Sequence, residues 1–140
     1  MRETEIERTV TRLRNTIDSN NREIKKLRNQ LDELTYTKKK LNDSQNKLYD
    51  YHSTQKQTYQ RMRSNYPNNR FAVKFSEGML NCFNGSQSAN AHENIAVSIQ
   101  KVARKTSETE SRIQELNSEN RRCRNRISDL EYELEQMGED

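Results

Sequence analysis

The sequence predicts an all-α protein: a long antiparallel coiled-coil helical hairpin with a short helical, aromatic-rich head. Three observations predict it. Two runs of apolar residues recur at alternating spacings of three and four, the mark of helices that keep one stripe facing a partner. Each run carries one asparagine in its stripe, Asn20 and Asn120, and a buried asparagine is costly unless it meets a partner. Between the runs lie four of the six tyrosines, all three phenylalanines and the one proline.

The first run reads Ile6, Val10, Leu13, Ile17, Asn20, Ile24, Leu27, Leu31 and Leu34, then Leu41 and Leu48. The second reads Ile95, Ile99, Val102, Thr106, Thr109, Ile113, Leu116, Asn120, Cys123, Ile127, Leu130, Leu134 and Met137. Placing Asn20 opposite Asn120 makes the runs antiparallel, with facing residue numbers summing to 140. Ile6 then faces Leu134, Val10 faces Leu130, Leu13 faces Ile127, Ile17 faces Cys123, and Leu41 faces Ile99. A shift of one heptad sets both asparagines against aliphatics. Past Leu41 the match fades, with Leu48 opposite His92 and His52 opposite Ser88. The expected organisation is therefore a single 1–140 domain with a stalk helix at 3–48, a head at 49–91 and a return stalk helix at 92–137.

Within the head, Tyr59, Met62 and Tyr66 keep the register of the first run, so that helix continues to Asn65. There Pro67 forbids another turn and biases Tyr66 away from helical geometry, making residues 65–69 the reversal. Phe71, Phe75, Met79 and Cys82 recur at helical spacing, which predicts a short helix over 70–82. Asn84-Gly85 breaks it, and Ser86 or Ser88 is suited to cap the return helix. The alternation of strands is missing.

Composition agrees with a thin seam rather than a thick core: of 140 residues, 29% are hydrophobic and 33% charged. Residues 1–70 hold 16 basic and 9 acidic groups, while the remainder holds 9 and 12, so opposite halves attract when the chain folds back. No apolar run is long enough to span a bilayer. Residues 1–10 lack the apolar core of a signal peptide. Two cysteines, Cys82 and Cys123, fall far apart in this register and fit a reducing compartment as free thiols.

No constellation of an enzyme appears, and the expected protein has no catalytic residue, metal ligand or cofactor. His52 and His92 approach each other about two turns apart near the stalk–head junction, too few ligands for a metal. Two basic clusters, Lys38-Lys39-Lys40 and Arg121, Arg122, Arg124 and Arg126, have acidic residues interspersed in their regions, and the aromatics lie elsewhere than among the arginines, so they read as solvated faces rather than a nucleic-acid surface. The acidic stretch from Asp129 to Asp140 lies beside Arg8, Arg12 and Arg14 and supports the stalk. The head remains as the binding region, since 43 residues with seven aromatics exceed what its own helices cover.

Phe83-Asn84-Gly85, between an amphipathic stretch and a long return helix, resembles the Trp-X-Gly turn of the WXG superfamily, with phenylalanine in the tryptophan's place. Those proteins are small helical hairpins of type VII secretion in Gram-positive bacteria. The layout is most similar to the longer YwqH-like accessory proteins found beside LXG toxins. The resemblance implies a partner and targeting role, in which the hairpin packs along the helical amino-terminal domain of an LXG-type effector and accompanies it to the secretion machine. Tyr132 is followed four residues on by Gln136, where the family's export signal has Asp or Glu. That implies reliance on the partner's signal, or action inside the cell.

The reading is a non-enzymatic adaptor or chaperone that binds a helical partner domain through Tyr59, Met62, Phe71, Phe75, Met79, Phe83 and Gly85, with Asn20 and Asn120 setting the register. Its expected location is cytoplasmic, or exported with its partner without a signal peptide. The alternatives are a coiled-coil tether forming a homo-oligomer and a prefoldin-like holding chaperone. The missing strand pattern between 49 and 91 counts against the second.

Overall fold

The computed structural model describes residues 2–139. They form three helices: α1 (Glu3–Asn65), α2 (Arg70–Phe83) and α3 (Ser86–Glu139), with no strand among the described residues. The chain is an antiparallel helical hairpin in which α1 pairs with an arm made of α2 and α3. It divides into two compact units, Met1–Leu34 with Lys105–Asp140 and Thr35–Arg104.

In the first unit the asparagine register holds. Asn20 Nδ2 donates to Asn120 Oδ1 at 3.0 Å, with the two residues 8% and 1% exposed. Ile6, Val10, Ile127 and Leu130 form one buried cluster, against which Leu13, Ile17 and Leu134 pack. Cys123 is buried as a free thiol, consistent with a small apolar filler opposite Ile17. Arg14 pairs with Glu131 at 2.6 Å and Arg112 with Glu23 at 3.2 Å across the seam. The acidic end of α3 thus meets a basic residue of α1, as the charge distribution implies.

Tight packing ends earlier than the apolar matching suggests. Ile24 and Leu116 are buried, but Leu27, Leu31, Leu34 and Ile113 are only half-buried. In the same register Leu31 faces Thr109, whose hydroxyl donates back to the Lys105 carbonyl at 2.8 Å. Thr109 itself is buried, but its short side chain leaves the facing Leu31 half-covered.

In the second unit the helix boundaries follow local chemistry. α1 runs to Asn65, and Tyr66 to Asn69 form the reversal ahead of α2. Asn69 caps α2 with its side-chain oxygen accepting from Ala72 N at 3.1 Å, which satisfies one of the unpaired donors of the first turn. The break before α3 is a bend rather than a second reversal. Asn84 N still donates to Leu80 O at 3.0 Å, and Gly85 N to Cys82 O at 3.3 Å. α3 begins at Ser86, which lies inside the helix instead of capping it, while Ser88 Oγ lies within hydrogen-bond distance of His52 Nδ1. The return helix therefore starts six residues ahead of position 92.

Candidate partner-binding surface

α2 has two unlike faces. Ala72, Ser76 and Leu80, spaced by four, are buried, and Ser76 is completely so. Its hydroxyl donates to the Ala72 carbonyl, so the small buried side chain leaves no unsatisfied polar group. Opposite them, Phe71 is 77% and Phe75 43% exposed, their rings stacked with centroids 5.9 Å apart. The repeat expected from sequence does not hold as one face: Phe71, Phe75 and Cys82 are exposed, whereas Met79 is half-buried. Gly78, between Phe75 and Cys82, takes the outer position instead, because steps of three and four from Phe75 alternate around a 3.6-residue turn.

The other aromatics of this unit pack on each other. Phe83 sits edge-on to His52 (centroids 5.3 Å) and Tyr51 (6.2 Å) and stacks with Tyr59 (6.0 Å). Tyr59 in turn meets Phe75 edge-on at 5.8 Å. Three α1 rings thus hold the last residue of α2. Gly85 is next to this bend for reasons of space: no glycine has a positive φ, and a β-carbon at Gly85 lies 3.2 Å from the Asn81 carbonyl oxygen and 3.3 Å from that of Cys82. Of the seven partner residues expected from sequence, Phe83 and Gly85 are therefore engaged by the fold itself. Tyr59 is shared, Met79 is half-buried, and Met62, Phe71 and Phe75 line an outer cavity of about 330 Å³ with Tyr66, Asn69 and Ala72.

Tyr66, which the register of the first run picks out, was not among the expected partner residues, and Gly78 was not singled out at all. Tyr66 belongs to the reversal, outside any helix, yet it is exposed and lines the cavity. The signal for Gly78 is a glycine in mid-helix with no turn to require it.

Below the bend, a surface cleft of about 500 Å³ is lined by Tyr49, His52, Lys56, Phe83, Gly85, Ser88 and His92 among others. The two histidines are in direct contact rather than two turns apart, with 2.8 Å between His92 Nε2 and His52 Nδ1. Tyr49 stacks on His92 at 4.5 Å. The buried His92 Nδ1 has no partner. One of the two facing nitrogens, His92 Nε2 or His52 Nδ1, carries the proton of their hydrogen bond and the other accepts it. Ser88 Oγ approaches the same Nδ1 at 3.1 Å. Both partners converge on one nitrogen, whereas a serine–histidine proton relay uses opposite nitrogens of the ring. Desolvation, the adjacent His92 and the Lys56 ammonium hold His52 below the usual histidine range. No group of three histidine, cysteine or carboxylate side chains that could hold a metal ion is formed among the described residues. No helix there is long and apolar enough to cross a membrane.

Comparison of the chain with protein-family models, with curated proteins and with solved structures finds no match.

Proposed function

We propose that the protein is a non-enzymatic binding module that receives a helical domain of another protein on the outer face of α2, acting as an adaptor or chaperone. One observation carries this reading: Phe71 and Phe75 remain exposed although a buried face of the same helix is already filled. Full burial of a phenylalanine is worth roughly 1.5–3 kcal/mol, most of which is forgone at Phe71 and a smaller part at Phe75. A fold that has turned Ala72, Ser76 and Leu80 inward leaves Phe71 almost uncovered and uses Phe75 only through its edge contact with Tyr59. Exposed apolar patches of this kind mark partner sites, and aromatic residues dominate such interfaces.

The partner class that the Phe83-Asn84-Gly85 resemblance implies is the helical amino-terminal domain of an LXG-type effector of type VII secretion, with the pair acting in the cytoplasm or leaving it together. The test is co-expression with such a domain from the same genome. The wild-type chain should co-purify with it, and Phe75→Ala should weaken the complex by about thirtyfold, the loss typical of a central interface aromatic at about 2 kcal/mol. Circular dichroism of the variant should stay as helical as wild type. Normal binding by a folded Phe75→Ala chain would remove the α2 face from the reading.

A further inference from the structure

The reading above leaves the partner's chemistry open, and the surroundings of Phe71 and Phe75 narrow it. Phe71, Phe75, Gly78 and Cys82 are all exposed and spaced four, three and four, the spacing of a coiled-coil seam lacking its second helix. A glycine inside an exposed helix weakens it relative to alanine. At Gly78 nothing lies within 4 Å of the β-carbon position and φ is ordinary, so the chain's own fold supplies no reason for it. Close approach of a second backbone does, as small residues permit where helices cross. The cavity bounded by Met62, Tyr66, Phe71 and Phe75 has room for one large apolar side chain.

Charge supplies the remaining term. From Ser53 to Phe83 the chain carries Lys56, Arg61, Arg63, Arg70 and Lys74 against Glu77 alone. Arg61, Arg63, Arg70 and Lys74 are exposed, and none forms an ion pair among the described residues. A second copy of α2 would bring these cations against their own equivalents. An anionic bilayer would satisfy them but has no use for a glycine or a side-chain cavity.

We propose that the occupant of this face is an acidic amphipathic helix of a second protein. Its apolar stripe lies along Phe71, Phe75, Gly78 and Cys82, its backbone passes closest at Gly78, and its carboxylates meet Arg63, Arg70 and Lys74. The inference rests on the partner-binding reading, and it adds the charge and the crossing point.

The probe is a synthetic amphipathic helix roughly three heptads long, with leucine at seam positions and glutamate flanking them. A control peptide has lysine in place of every glutamate. Fluorescence anisotropy against the full chain should show binding of the acidic peptide, weakened by salt, and none of the lysine peptide. Gly78→Leu and the pair Arg70→Glu, Lys74→Glu should each lower affinity by about tenfold or more. Neither change touches a buried position, and leucine raises helix propensity at 78, so circular dichroism should show intact folds. Equal binding of both peptides, or of neither, overturns the proposal. So does binding to phosphatidylserine vesicles without binding to the acidic peptide, or a dimer in sedimentation that Gly78→Leu disperses. If Phe75→Ala abolishes capture of the effector domain while the charge-reversed pair leaves it unchanged, partner binding stands and the acidic chemistry fails. If neither variant matters, both fail.

Discussion

Asn20 Nδ2 donates to Asn120 Oδ1 across 3.0 Å inside the first unit's seam, and Asn120 passes its own amide to Asn21 Oδ1 at the same distance. The chain of amides runs from the buried layer out to an exposed residue, so each buried donor ends on an acceptor. Removing one partner is therefore worse than removing both. Asn120→Leu alone strands the Asn20 amide and should cost about 1–3 kcal/mol. Asn20→Leu with Asn120→Leu replaces the pair by an aliphatic layer, and its melting temperature should exceed wild type while register or oligomeric state loosens. Thermal circular dichroism with sedimentation reads both. A double variant that melts below the single one would mean that the layer cannot accept two leucines.

The same register places Val10 and Leu130 in one buried cluster. Cysteines at these two positions should close a disulfide under mild oxidation, within one chain and at high dilution, because facing seam positions bring β-carbons within bonding range. Dimers linked through these cysteines, with no intrachain product, would contradict the hairpin.

The hairpin was legible because its determinants are pairwise and distant in sequence: one asparagine per run fixes every other layer of an antiparallel seam. The ends of α1 and α2 were legible from Pro67 and Asn84-Gly85, where backbone chemistry acts locally. Two features were not. The half-cover of Leu31 opposite buried Thr109 depends on side-chain volume, which an apolar/polar pattern does not weigh. The orientation of α2 is the larger one. Periodicity puts Phe71, Phe75, Met79 and Cys82 on one stripe and offers its large residues to a partner, but it does not mark Ala72, Ser76 and Leu80 as the residues turned inward. Small residues let the helix approach closely, while the phenylalanines are too bulky for that side. Which of two apolar stripes turns inward is a packing decision, and periodicity alone is silent on it.

Gly78 and Gly85 should respond oppositely to one methyl group. At Gly78 an added β-carbon meets open space, so Gly78→Ala should stabilise the helix by up to about 1 kcal/mol. At Gly85 it presses on two backbone carbonyls at 3.2 and 3.3 Å, which cannot rotate away as a side-chain tip can. Gly85→Ala should therefore destabilise by about 1 kcal/mol or more. Urea titrations of the two variants against wild type test the pair, and equal shifts of the same sign would contradict the geometry at the bend.

The histidine pair makes the second unit sensitive to acid. His92 Nε2 and His52 Nδ1 share one proton across 2.8 Å, so a second proton there would set two N–H groups against each other. Burial, the neighbouring His92 and Lys56 all hold His52 below its ordinary value, which is about 6.5 in an unfolded chain. As pH falls through that value, the unfolded chain takes up a proton that the folded one resists. Stability is then complete above about pH 6.5 and declines on acidification until the folded histidine also titrates. Melting temperature should fall between about pH 7 and 5, and His52→Gln should flatten the slope, since glutamine does not titrate there. His92→Gln should keep part of the slope: desolvation of His52, the largest cause, persists, while one repulsive neighbour is gone. Proton NMR of the His52 ring gives the direct measure, a midpoint below that of a free histidine. A midpoint at or above the free value, or a pH slope unchanged by His52→Gln, would exclude the pair as the source of acid sensitivity.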